Sequence, residues 1–244
     1  HVSSRRQRQM CIRDSNDSYP DIYISNDFSS PDFMYMNNGD GTFSDVVKET
    51  TNQTSFYGMG VDIADFNNDS YLDYIQVDMD AKDNRRSKAN MASMNPDLFW
   101  STVNYGFHYQ YMHNTLQLNR RIQGDKPFFS NISRLSGISS TDWSWGPLLA
   151  DLDNDGWKDL FISNGIRREI NHRDFFNDIK LRPMSSDSLL YYTEQMPSEA
   201  IANFTFQNNS DLTFTDVSES WGLDQKNFSN GATYADLDND GDLE

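Results

Sequence analysis

Three nine-residue loops carry oxygen-bearing side chains at positions 1, 3, 5 and 9, with a backbone carbonyl available at position 7. Packed carboxylates repel one another unless a cation neutralises them, and calcium takes about six to eight oxygens at about 2.3–2.6 Å. Ser or Gly at position 6 lets each loop turn back around such an ion. Calcium is therefore the predicted cofactor. The candidate ligands are Asp65, Asn67, Asp69, Tyr71 and Asp73; Asp151, Asp153, Asp155, Trp157 and Asp159; and Asp236, Asp238, Asp240, Asp242 and Glu244.

Two other interpretations of these loops are less favoured. An EF-hand needs flanking helices and a bidentate Glu at position 12, where this chain has Gln76 or Ile162. Magnesium resists dehydration and seldom occupies all-protein cages. A metal-free acidic turn is an alternative for one loop, but three copies in one register favour calcium. Because Asn67 replaces an acid and Ser70 replaces Gly, we expect the first complete loop to bind more weakly.

The loops belong to a longer repeat. A partial fourth copy occupies residues 16–21, and equivalent aspartates at 17, 69, 155 and 240 are separated by 52, 86 and 85 residues. The shortest spacing suits one propeller blade of about 40–50 residues. The longer spacings predict insertions at about 81–119 and 166–203, with helical stretches at 98–103, 174–181 and 187–195.

Strand patterns surround every loop. Small-residue strand entries precede the complete loops at 58–64, 145–150 and 230–235, and β-branched or aromatic runs follow loops at 22–24, 74–77 and 160–162. Hairpin turns are indicated within 37–46 and 208–217, and a stretched version ends at 129–132. The predicted fold is all-β, a partial β-propeller of four-stranded antiparallel blades with short helical insertions.

These loops and the Asn37-Asn-Gly-Asp-Gly-Thr-Phe43 hairpin resemble the FG-GAP/VCBS repeat family of integrin α-subunit heads, cartilage acidic protein and many secreted bacterial proteins. The resemblance covers nearly everything after Ser15. Segments 94–96, 108–111 and 141–145 look like those of bacterial members that often carry an ASPIC/UnbV domain. The resemblance implies calcium, a seven-bladed ring when complete, a secreted, periplasmic or cell-surface location, and binding rather than chemistry.

Residues 1–15 differ in composition from the remainder, 16–244, which we identify as the propeller fragment. They hold four arginines and the only cysteine, Cys11, and resemble the translation of a sequencing-library adapter. The repeat register also places Arg13 where Asp65 stands, and a guanidinium cannot ligate a cation. We therefore predict that residues 1–15 are non-native, that residues 1–14 pack against nothing, and that the first loop holds no metal. A natural basic arm is the alternative.

The chain carries 20 basic and 37 acidic residues, a net charge of -17, which disfavours nucleic acid as a partner. No apolar run is long enough to span a bilayer. With three to four repeat units, open sheet edges predict self-association rather than a defined homo-oligomer.

The predicted function is a calcium-stabilised scaffold that binds a protein or carbohydrate ligand and is not an enzyme. A polysaccharide lyase or hydrolase and a purely structural surface repeat are the alternatives. His108, His113 and His172 lack the spacing of a zinc site. Four aromatic residues could stack on sugars but more often pack in a core: Tyr109, Tyr111, Trp143 and Trp145. The repeats do not identify the ligand.

Overall fold

The computed structural model describes residues 8–12, 19–27, 30–91, 94–123, 126–182, 186–238, 240 and 243. Its helices are α1 (Val47–Thr50), α2 (Asn84–Ala89), α3 (Pro96–Asn104), α4 (Arg173–Ile179) and α5 (Ser186–Glu194). Its strands are β1 (Arg8–Ile12), β2 (Asp21–Ser25), β3 (Phe33–Asn37), β4 (Phe43–Asp45), β5 (Thr54–Ser55), β6 (Gly60–Ala64), β7 (Asp73–Val77), β8 (Met79–Asp80), β9 (Gln110–Tyr111), β10 (Thr115–Gln123), β11 (Lys126–Asn131), β12 (Asp142–Ala150), β13 (Asp159–Asn164), β14 (Ile201–Ala202), β15 (Phe204–Asn208), β16 (Phe214–Asp216) and β17 (Lys226–Asn227).

Three antiparallel sheets repeat one topology. The first has the order β1-β2-β3-β4, the second β6-β7-β10-β11, and the third β12-β13-β15-β16, with β8 added beside β12. Each is a meander of four sequential strands, which is the unit of a propeller blade. We call them blades 1, 2 and 3. The prediction of an all-β partial propeller with four-stranded antiparallel blades is confirmed.

The predicted insertions join the second and third strands of blades 2 and 3. They contain α2 and α3 in one case and α4 and α5 in the other. The side chain of Asn95 caps α3 by accepting hydrogen bonds from the backbone N–H groups of Asp97 and Leu98. Strand β10 begins at Thr115, so the first insertion ends before the predicted residue 119.

Residues 230–235 do not form the strand that their small side chains predict. They are irregular and largely exposed, and no described strand pairs with them. The reason is physical: a strand entry is stabilised only by a ladder partner, which the local pattern does not supply.

The expectation that residues 1–14 pack against nothing is wrong for residues 8–12. These residues form β1, which pairs with β2 from Arg8 opposite Ser25 to Ile12 opposite Asp21. The edge of β2 exposes backbone groups that any extended segment can satisfy. Ladder pairing does not depend on sequence, so the non-native origin of residues 1–15 stays a prediction. Residues 13–18, which include most of the first loop, lie outside the described residues.

Blade 2 is covered on both faces. All five residues of β7 are buried, and side chains on a strand alternate between the two faces. Tyr74 packs toward blade 1, with its ring centroid 4.5 Å from that of Tyr23. Ile75 and Val77 pack toward Leu160 and other residues of blade 3. The core therefore lies between the blades, and each sheet depends on its neighbour.

Close packing between blades 1 and 2 explains a glycine at the entry to β6. A Cβ at Gly58 would lie 3.0 Å from the backbone oxygen of Asn26 and would overlap Gln76 Nε2 and Ser25 Oγ. We expect Gly58→Ala to lower the free energy of unfolding by about 1–3 kcal/mol, the usual effect of overpacking. Urea unfolding measures it. Gly231→Ala is the control, because nothing lies within 4 Å of a Cβ there. Equal effects of the two substitutions would contradict the packing argument.

Candidate metal centre

The loop between β6 and β7 folds around its own carboxylates. Asp65 accepts hydrogen bonds from the backbone N–H groups of Asp69 (3.0 Å) and Ser70 (2.8 Å). The side-chain oxygen of Asn67 accepts from Asp69 N at 3.1 Å, and Asp69 Oδ1 accepts from Tyr71 N at 2.9 Å. Ser70 has a φ of 71°, the left-handed turn that the glycine of this motif usually makes.

The loop between β12 and β13 repeats this arrangement. Asp151 accepts from Asp155 N at 3.1 Å and from Gly156 N at 3.0 Å, and Asp155 Oδ1 accepts from Trp157 N at 2.8 Å. Gly156 has a φ of 90°. Carboxylate oxygens of Asp151, Asp153 and Asp159 lie within 4.8 Å of one another. This convergence is compatible with a hard cation, which would need further oxygens to complete about six to eight ligands.

The third loop is described only in part. Carboxylate oxygens of Asp236, Asp238 and Asp240 lie within 4.8 Å of one another, and all three residues are exposed. Asp240 N donates to Asp236 Oδ1 at 3.2 Å, as the equivalent residues do in the other loops. The candidate ligands Asp242 and Glu244 lie outside the described residues.

In three loops the last aspartate has a second contact that sequence reasoning missed. Its Oδ1 accepts a hydrogen bond from the backbone N–H of an asparagine in the third strand of its blade. The pairs are Asp21 with Asn37 (2.8 Å), Asp73 with Asn119 (2.7 Å) and Asp159 with Asn208 (2.9 Å). The detectable signal was the asparagine that opens the hairpin motif at positions 37 and 208. The loop and the hairpin are therefore one structural unit.

The carboxylate of Asp73 is buried beside the other acids of its loop. Asn119 N donates to its Oδ1, and the backbone N–H of Phe66 also acts on the carboxylate and lowers its pKa. Burial raises the pKa of Asp73 to about 8, and the charges of Asp69 and Asp65 add to this rise. The hydrogen bond from Asn119 N stabilises the ionised carboxylate and so opposes it. Burial likewise raises the pKa of Asp159 to about 6. A divalent cation beside these residues would favour the ionised form of both carboxylates.

In the described part of the chain, six of the fifteen predicted ligands lie in converging triads: Asp151, Asp153, Asp159, Asp236, Asp238 and Asp240. Asp155 lies outside the converging triad of its loop. Its carboxylate instead accepts a hydrogen bond from Trp157 N in the turn. Among the described acids, no such triad forms in the loop of Asp65, where Asn67 supplies an amide oxygen. The roles of the Tyr71 and Trp157 carbonyls stay predictions. Gln207 was missed: its Nε2 donates to Asp153 Oδ2 at 2.7 Å.

Two histidines considered for zinc serve structural roles. His108 Nε2 lies 3.1 Å from Thr51 Oγ1 and 3.0 Å from Thr51 O, and burial lowers its pKa. His113 Nε2 lies 3.2 Å from both Gln53 Nε2 and Asn131 Nδ2. Both side chains are buried.

Fold and loops together define a partial β-propeller whose blades carry an acidic loop between their first and second strands. Residues 15–75 match the family described as FG-GAP-like repeat. The chain is 24% identical over 178 residues to cartilage acidic protein 1 of Xenopus tropicalis, covering 62% of this chain and 27% of that protein. It is 25% identical over 178 residues to cartilage acidic protein 1 of Homo sapiens, covering 61% and 26%. The predicted resemblance to FG-GAP repeat proteins is confirmed, and the chain spans about a quarter of these relatives.

Proposed function

We propose that this chain is part of a calcium-stabilised propeller scaffold that acts outside the cytoplasm and binds a protein or carbohydrate partner. The observation that carries the proposal is the repeated acidic loop whose buried last aspartate ties it to the hairpin of the same blade. Similarity to cartilage acidic protein 1 supports an extracellular setting. In the described part of the chain, no helix is long and apolar enough to cross a membrane.

Calcium would act on the fold through these loops. Bound calcium would neutralise acids that otherwise repel, and the residues to hold it are Asp65, Asn67, Asp69 and Asp73 in blade 2 and Asp151, Asp153 and Asp159 in blade 3. The turn residues set the loop shape, because their backbone N–H groups already orient the carboxylates. Asp73 and Asp159 also accept hydrogen bonds from the third strands of their blades. Metal binding and blade packing would therefore be coupled.

The insertions supply the proposed contact surface. They leave from the ends of the second strands, whereas the acidic loops lead into the starts of those strands, so the two lie at opposite ends of the blades. The first insertion exposes large aromatic side chains, among them Trp100, Tyr105 and Tyr109. Exposed aromatic residues of this kind are enriched at binding surfaces.

Binding rather than catalysis is also a proposal. It is supported by the burial of His108 and His113 and by the hydrogen-bond contacts of their Nε2 atoms within the fold, which favour a structural role for both rings.

Thermal unfolding in the presence and absence of calcium tests the proposed function. At a hundredfold excess over Kd, each occupied site should stabilise the folded chain by about 2.7 kcal/mol, so the melting temperature should rise with calcium and fall with chelator. Magnesium at equal concentration should stabilise less, because it keeps its waters. Unchanged melting with calcium and chelator, or equal stabilisation by magnesium, would refute the assignment.

Matched variants locate the effect. Asp153→Ala should weaken calcium binding to the loop of blade 3, and Asp155→Ala should do so by loosening the turn. Asp224→Ala is the control, because Asp224 is exposed and outside the acidic loops. Calcium titration by calorimetry should lose one binding event in the loop variants and none in the control.

A further inference from the structure

A cavity of about 380 Å³ lies where the three blades meet. The residues that line it come after the ends of β2 and β13 and from near the starts of β6 and β12. They include Asp27, Tyr57, Met59, Trp143 and Trp145. The acidic loops join the ends of first strands to the starts of second strands. The cavity therefore lies at the other end of the blades and is separate from the candidate metal centre.

Aromatic and methionine side chains form much of the cavity wall. The rings of Trp143 and Trp145 have centroids 6.4 Å apart at an interplanar angle of 34°. Trp145 Nε1 donates to Gly165 O at 2.6 Å, which holds that indole in place. Met59 and Met79 contribute polarizable side chains that adapt to a ligand. Such a volume is within the range of small-molecule sites.

The charges at the cavity have one sign. Asp27 is the acidic residue in the wall, and no Lys or Arg lines the cavity among the described residues. Burial, then the charges of Asp78 and Asp27, raise the pKa of Tyr57, which places the Asp27 carboxylate close to this ring. An anionic ligand would meet repulsion from Asp27, whereas a cation would meet this carboxylate beside the aromatic side chains of the wall.

We propose that this cavity binds an alkylated ammonium group, with Tyr57, Trp143 and Trp145 as its aromatic walls and Asp27 as its counter-charge. Aromatic faces attract cations within about 6 Å of the ring centroid, most strongly where water is excluded. Alkyl groups on the nitrogen gain contact with Met59 and Met79. A bare ammonium ion is too strongly hydrated to gain as much.

Choline and its neutral isostere 3,3-dimethyl-1-butanol distinguish a cation site from a merely apolar pocket. Both probes have the same shape, so only the charge differs. The full 244-residue chain, saturated with calcium, is labelled at its tryptophan indoles, and the N–H signals are followed by NMR. We expect choline to shift the Trp143 and Trp145 signals saturably and to bind about tenfold more tightly than the alcohol. Equal affinities, or no saturable shift with choline, would overturn the proposal.

Variants test the named walls. Trp145→Leu should reduce choline affinity about tenfold or more, and Asp27→Asn should weaken choline while leaving the alcohol unchanged. Trp221→Leu is the matched control, since Trp221 is also half-buried but does not line the cavity. Unaltered choline binding in Trp145→Leu would exclude this site. Because the cavity lies apart from the acidic loops, failure of the calcium experiment would leave this result unaffected.

Discussion

Replacing Arg86 by Ala is expected to lower the free energy of unfolding by about 3–5 kcal/mol, because the substitution leaves buried carboxylates without their counter-charge. Arg86 is 4% exposed. Its guanidinium forms a fork on Asp142, with Nε–Oδ2 at 2.5 Å and Nη2–Oδ1 at 2.8 Å. Its Nη1 lies 3.0 Å from both Glu169 and Glu199. Urea or guanidinium unfolding measures the loss.

The position of Arg86 explains why the effect should be large. It lies on α2 in the first insertion, whereas Asp142 begins blade 3 and Glu169 and Glu199 belong to the second insertion. One side chain thus joins three segments. Asp142 also has a φ of 91°, a strained value for a residue with a Cβ, and the fork helps to hold it.

Arg85→Ala is the matched control for Arg86→Ala. Arg85 is the neighbouring residue and pairs with both oxygens of Glu199 at 2.7 Å, but this ion pair is exposed. Exposed ion pairs contribute little because water and salt screen them. The loss of unfolding free energy in Arg86→Lys should lie between the losses in these two variants, because lysine keeps the positive charge but cannot form the two-point contact with Asp142. If Arg86→Ala cost no more than Arg85→Ala, the buried cluster would not stabilise the fold.

The second large effect is a pH dependence that Asp32 imposes on stability. Asp32 is 1% exposed between blades 1 and 2, and burial raises its pKa to about 7 despite hydrogen bonds from Asn26 N, Gln76 and Tyr23. The buried carboxylate of Asp78 raises it further. In the unfolded chain the pKa is about 3.9. The folded chain therefore retains a proton that the unfolded chain loses.

The sign of the Asp32 effect follows from this difference. The contribution is fully present below about pH 4 and is lost as the pH rises to about 7, by up to about 1.4 kcal/mol per pH unit. In calcium-saturated buffer, Asp32→Asn should flatten the fall in unfolding free energy between pH 4 and pH 7. Asp224→Asn, at an exposed position, should not change it. Asp78, whose pKa burial raises to about 6, accounts for the part of the slope that remains. A slope as steep after Asp32→Asn as in the unsubstituted chain would show that Asp32 is ionised in the folded chain.

Local patterns predicted many, but not all, of the elements of this fold. Runs of β-branched and aromatic residues predicted β7 and β13, and the turn residues predicted the β3–β4 and β15–β16 hairpins. Asn95 and Gly106 bracket α3 as expected, since capping depends on neighbouring residues. Helices α1 and α2 were not predicted. They are only four and six residues long, too short for a helical period to be recognised.

The sequence by itself determined the acidic loops, because their hydrogen bonds join residues two to five positions apart and their turns need only Ser70 or Gly156. Only the tertiary structure decided which carboxylates are buried. Asp73 meets Asn119 across 46 residues, and Arg86 meets Asp142 across 56. Contacts at such separations arise when the blades stack and exclude water. The stacking buries carboxyl groups, which shifts their pKa values, and it also encloses the cavity. No local spacing encodes those distances, because they depend on how whole sheets pack.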